Sequence, residues 1–142
     1  MKGKFTEYDI YVAVAKFMAW KHRGVPYRFD YLAGAKINIG TARKNAVINQ
    51  MRGWPDLFIA KPVGKWSGCF IEIKQAGYKP FKRDGSYKDQ HAKEQAEMLQ
   101  RLLSQNYCCY LAAGLENVVA CIDDYLKGAN KLNPLQIEFK RQ

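Results

Sequence analysis

The sequence is short of acid: 13 Asp and Glu stand against 23 Lys and Arg over 142 residues, a formal charge of +10. It also lacks any apolar run approaching the roughly 20 residues that span a bilayer, which excludes a transmembrane helix. The N-terminus, MKGKFTEYDIYVAVAKF, begins basic but has neither an uninterrupted apolar stretch nor a small-residue cleavage site. No secretory signal is therefore expected, and the chain reads as cytoplasmic, with no membrane partner. Repeats and low-complexity tracts are missing, which excludes solenoids and disordered arrays. Cysteine is sparse. Cys69, Cys108, Cys109 and Cys121 show no C-x-x-C spacing, and only His22 and His91 could join them. A zinc framework is excluded on those spacings, and buried free thiols are expected. No linker divides the chain, so residues 1–142 read as one domain.

What remains is ample apolar material, 48% hydrophobic and 13% aromatic residues, enough for a packed core. The charge points to a polyanion, because Lys and Arg displace condensed counterions from phosphates. Apolar residues at Ile10, Val14, Phe17 and Met18 predict a helix over 6–21, with Thr6 as its cap and Gly24 and Pro26 beyond its end. Residues 26–32 read as extended. Residues 33–53 read as a basic loop with a short helix near 42–51. Strands are predicted at 57–60 and 69–74, as a hairpin or as neighbours, and a basic glycine-containing loop at 75–88. A helix over 89–105 places Gln95, Met98, Leu99, Leu102 and Leu103 inward, followed by a strand at 107–112 and a helix at 115–126. The tail, 129–142, holds an alternating piece (Leu135, Ile137, Phe139) fit for an edge strand. This order defines an α/β domain with a mixed central sheet flanked by helices.

The chemistry concentrates in Pro55-Asp56 and, after a gap of fifteen residues, Glu72-Ile73-Lys74. Side chains alternate along a strand, so Glu72 and Lys74 share one face of an otherwise apolar run, CFIEIK. Charge in a strand interior is costly unless paired or bound to metal. Asp56, at the start of the preceding strand, can reach the same point. An E-x-K pair also arises as a plain salt bridge, and a P-D as an ordinary turn. Together, in a chain this basic, they describe two hard carboxylates beside an ammonium, a set suited to Mg²⁺ or Mn²⁺ and to phosphodiester hydrolysis. Gln95 falls on the face of Leu99 and Leu102, an odd place for an amide without a buried partner. Glu7 shares a helical face with Tyr11, Val14 and Met18, although a first-turn glutamate is also favoured by the helix dipole.

Arg52-Gly-Trp-Pro-Asp-Leu-Phe-Ile, then Cys69-Phe-Ile-Glu-Ile-Lys, then His91-Ala-Lys-Glu-Gln resemble the VRR-NUC group of the PD-(D/E)XK nuclease superfamily. The likeness runs from Glu7 to about Leu126 and implies a restriction-endonuclease-like core. It further implies that Asp56, Glu72 and the backbone carbonyl of Ile73 hold the metal, that Lys74 is the catalytic lysine, and that Glu7 and Gln95 complete the site. The family often has Ser three residues before that glutamine and Gly before the next strand; here these are Ala92 and Asn106, and Asn tolerates the left-handed conformation. Minimal chains of this kind look like virus-type enzymes acting in a host cell as homodimers on branched DNA, notably Holliday junctions.

Residues 61–93 carry eight Lys and Arg against three acids, with aromatics interleaved at Trp66, Tyr78, Phe81 and Tyr87. Arg43, Lys44, Arg52, Lys79, Lys82, Arg83, Lys88 and Lys93 are the expected DNA-backbone contacts. Trp54 also reads as a core residue. A nicking or restriction-like endonuclease without junction preference is the alternative within the same class. A catalytically silent DNA-binding subunit is the alternative outside it. An RNA-binding module is disfavoured, since the chain has neither an aromatic RNP pattern nor a KH-type loop.

Overall fold

The computed structural model describes residues 5–31, 37–128 and 131–132. Thr6 opens the first helix, α1 (Glu7–Lys21), through a capping box: its hydroxyl accepts from the Asp9 N–H at 3.1 Å, and Asp9 Oδ2 accepts from the Thr6 N–H at 2.7 Å. Strand β1 (Tyr27–Phe29) follows, and then α2 (Ile39–Ile48). Asn38 caps α2 by accepting from the Thr41 N–H, so the helix begins three residues before the expected 42 and ends at Asn49. Strands β2 (Leu57–Ile59) and β3 (Cys69–Lys74) come next, the latter within its predicted bounds. They are followed by α3 (Gln90–Ser104), β4 (Cys108–Ala113) and α4 (Leu115–Lys127). Asp89 caps α3, while Gly128, in the left-handed conformation, ends α4. Asn106 also adopts a left-handed conformation, with φ of 73°. The predicted edge strand within 129–142 lies outside the described residues.

The sheet order is β1-β2-β3-β4, antiparallel between β1 and β2 and between β2 and β3, and parallel between β3 and β4. Every residue of β3 is buried, as expected of a central strand covered on both faces. Cys69, Ile71 and Ile73 face the larger core, where Ile10, Val14 and Met18 of α1 meet Val118, Ile122 and Tyr125 of α4. Phe70 points the other way, onto Met98, Leu99 and Leu102 of α3. By strand alternation Glu72 and Lys74 share that second face, toward α3. Leu103, expected inward, is only half-buried. All four cysteines are buried free thiols. Among the described residues, no helix is long and apolar enough to cross a membrane.

Candidate active site

The β2–β3 register pairs Leu57 with Ile71, Phe58 with Phe70 and Ile59 with Cys69. Extended by one residue, it sets Asp56 opposite Glu72 at the end of the hairpin. There Asp56 leaves the ladder and uses its side chain instead: Oδ2 accepts from the Ile73 N–H at 2.7 Å, and Oδ1 accepts from the Tyr11 hydroxyl at 2.5 Å. Pro55 explains part of this. A strand residue's N–H and C=O point to the same side, so the Ile73 carbonyl faces β2 along with its N–H. The donor that would meet that carbonyl belongs to position 55, and proline has none. The carbonyl expected to serve as a ligand is thus left without a ladder donor.

Glu72 is 2% exposed. Its Oε1 accepts from Gln95 Nε2 at 2.7 Å and lies 3.5 Å from Lys74 Nζ. Its Oε2 is buried with no hydrogen-bond partner, as is Gln95 Oε1. Burial, and then the Asp56 carboxylate beside it, hold the Glu72 carboxyl well above the ordinary value of 4.5, against the pull of Lys74. The Lys74 ammonium sits 4.9 Å from the centre of the Tyr78 ring, and Lys88 approaches the same ring at 5.0 Å. Glu7, half-buried in the first turn of α1, joins this group. Burial raises its carboxyl, Lys74 lowers it, Asp56 raises it and His91 lowers it. Asp30, which sequence reasoning passed over, belongs to the same rim. Its N–H donates to the Asp56 carbonyl at 2.8 Å, and burial and then Asp56 raise its carboxyl. Only the β1–β2 pairing brings it there, so no local pattern signals it.

Asp56, Glu72, Lys74, Gln95 and Glu7 are therefore brought together from β2, β3, α3 and α1. The expected DNA contacts are all exposed, but only some lie near this group. Lys88 reaches Tyr78, and Lys79, Lys82 and Arg83 stand on the same 75–89 segment. That segment is a small folded hairpin, closed by Lys82 N–H to the Ser86 carbonyl and Lys88 N–H to the Pro80 carbonyl. Lys93 pairs with Glu97 at 4.0 Å along α3. Arg52 lines a groove of about 280 Å³ with Glu94, Glu97 and Arg101. Arg43 and Lys44 lie on α2, a helix with no buried residue. Trp54 is 42% exposed and meets Phe70 edge-on, so it is not core.

Among the described residues, no three His, Cys, Asp or Glu side chains cluster as a metal site by themselves. The set that fits a hard cation is narrower: Asp56, the unpartnered Glu72 Oε2 and the Ile73 carbonyl, all of them the oxygen donors that Mg²⁺ prefers.

A four-stranded mixed sheet between helical layers, with an acid-acid-lysine group at the end of its hairpin, defines a restriction-endonuclease-like nuclease core. No family model matches the sequence, and no curated protein matches it either. Among solved structures, the fold is similar to that of a VRR_NUC domain protein, at 29% identity and a TM-score of 0.62, over 89% of this chain and 92% of that one. The resemblance carried by the motif segments therefore extends over most of the fold, which is similar to that of a VRR_NUC domain.

Proposed function

We propose that the chain is a metal-dependent endodeoxyribonuclease. The observation that carries this reading is Glu72, sealed beneath the surface opposite Asp56 and beside Lys74, with one oxygen left unpartnered. A buried carboxylate facing a second, part-buried one is costly even with the Lys74 ammonium on one of its oxygens, and a divalent ion answers the rest of that cost. Asp56, Glu72 and the Ile73 carbonyl would hold the ion, Mg²⁺ or Mn²⁺. When bound, it supplies Lewis acidity toward the phosphoryl oxygen and offsets charge on the leaving oxygen.

The remaining chemistry belongs to the chain. Lys74, fixed between Glu72 and the Tyr78 ring, presents its ammonium where charge develops on the phosphate or where a water must be oriented. Gln95 has one amide end committed to Glu72 and leaves its carbonyl free to accept from that water. Glu7 adds a further carboxylate from α1. The hairpin carrying Lys79, Lys82, Arg83 and Lys88 holds the DNA backbone, with Lys88 nearest the site.

Branched DNA, with the chain acting as a homodimer, is the substrate we favour. What supports it is the family likeness, together with the fit of a two-fold pair of sites to a symmetric four-way junction. The test is cleavage of a labelled four-way junction, a flap and a linear duplex in Mg²⁺ or Mn²⁺, beside Lys74→Ala and Asp56→Asn. Symmetric paired cuts confined to the junction are expected. Equal cutting of linear duplex removes the junction preference and keeps the nuclease, whereas binding without cutting in either metal removes the nuclease.

A further inference from the structure

Asp56 immediately precedes Leu57, the first paired residue of β2, and the ladder does not fix its side chain. Two donors from different elements do so instead: the Ile73 N–H of β3 on Oδ2, and the Tyr11 hydroxyl of α1 on Oδ1. The Tyr11 ring is itself held, stacked on Phe29 of β1 with ring centres 4.9 Å apart and planes inclined by 25°. A phenol facing a carboxylate can only donate. An aspartate taking two such donors still has lone pairs to offer, but its plane no longer turns freely.

We infer that Tyr11 is the positioning residue for the metal-binding face of Asp56. The path runs from Phe29 through Tyr11 to Asp56, tying the cation site to the α1 helix that also carries Glu7 one turn earlier. Residues that orient a metal-ligating carboxylate typically change metal affinity by about 10- to 100-fold when removed. A purely structural tyrosine would change folding stability and leave the affinity of the folded chain alone. The inference rests on the metal-dependent reading of this site.

The experiment titrates Mn²⁺ alone into the full chain, without DNA, by calorimetry, comparing the parent with Tyr11→Phe, which keeps the ring and its stacking and removes only the hydroxyl. A loss of about tenfold or more in Mn²⁺ affinity is expected, with an unchanged far-ultraviolet spectrum. In cleavage, the half-saturating Mn²⁺ concentration should rise by a similar factor, while the rate at saturating Mn²⁺ stays within a few-fold of the parent. Equal affinity in parent and variant overturns the role of Tyr11 and leaves the metal site standing. A parent that binds no Mn²⁺ overturns both. If Tyr11→Phe does not fold, Phe29→Leu frees the ring while keeping the hydroxyl, and unchanged Mn²⁺ affinity there also overturns the inference.

Discussion

Glu72 has its carboxylate almost wholly out of water, with Gln95 and Lys74 on one oxygen and no donor from the described residues on the other. Removing the Lys74 ammonium should therefore lower the cleavage rate by about 10²- to 10⁴-fold at saturating metal with DNA binding retained, which single-turnover kinetics beside a binding assay will measure. The same burial produces a pH signature. The Glu72 carboxyl is raised above 4.5, first by burial and then by Asp56. A carboxyl raised on folding contributes stability that is fully present below its unfolded value and is lost as pH climbs through its folded one. Glu72→Gln lacks that loss. In the metal-free chain the variant should melt above the parent by a margin that widens from about pH 4.5 into the neutral range, and added Mg²⁺ should narrow it. A margin that shrinks as pH rises would contradict this. Asp56, Glu72 and Lys74 are legible in the sequence because strand alternation and one flanking motif suffice to bring them together. Tyr11 is visible there only as one residue of an apolar stripe and Asp30 not at all, because their roles depend on which elements become neighbours.

At the scale of elements, the site depends on three joints. The first is the Thr6 cap. Thr6→Ala should cost about 1 kcal/mol of stability in chemical denaturation and loosen the turn that carries Glu7. The second is Gly53, where β2's lead-in crosses α3. Its φ is +78°, and a Cβ there would lie 2.4 Å from the Glu94 carbonyl oxygen and 2.8 Å from the Gln95 nitrogen. Gly53→Ala is strained in its backbone by about 1–2 kcal/mol before any clash. It should push α3 outward and withdraw Gln95 from Glu72, so that cleavage falls along with the melting temperature. The third is the break at Pro55, which halts the ladder and frees the Ile73 carbonyl. Helices α1, α3 and α4 are legible to within a residue or two because their caps and apolar periodicity agree. Periodicity starts α2 three residues late, since Ile39, Gly40 and Thr41 carry little helical preference and the Asn38 cap decides the start. Trp54 reads as core on its chemistry alone, although the glycine-proline setting around it holds the ring at the surface.

Across the whole molecule, a charge of +10 is carried largely outside the core, and one basic part of it, the 75–89 hairpin, adjoins the acidic rim through Lys88 and Tyr78. Phosphate binding by that hairpin should make DNA affinity fall steeply with salt. Lys82→Ala with Arg83→Ala should flatten the slope of log affinity against log salt by roughly 0.9 for each phosphate no longer neutralised, with the Mn²⁺ affinity of the DNA-free chain unchanged. The mixed sheet follows from the order of elements, but the site's depth does not, because burial arises from helices packing on both faces of β3. The most direct measurement is the anomalous scattering of Mn²⁺ diffused into crystals of the chain. A single strong peak is predicted, touching the carboxylates of Asp56 and Glu72 and the Ile73 carbonyl, and absent in Asp56→Asn. Manganese bound only elsewhere, or none at all, would contradict a metal-dependent site at the end of this hairpin.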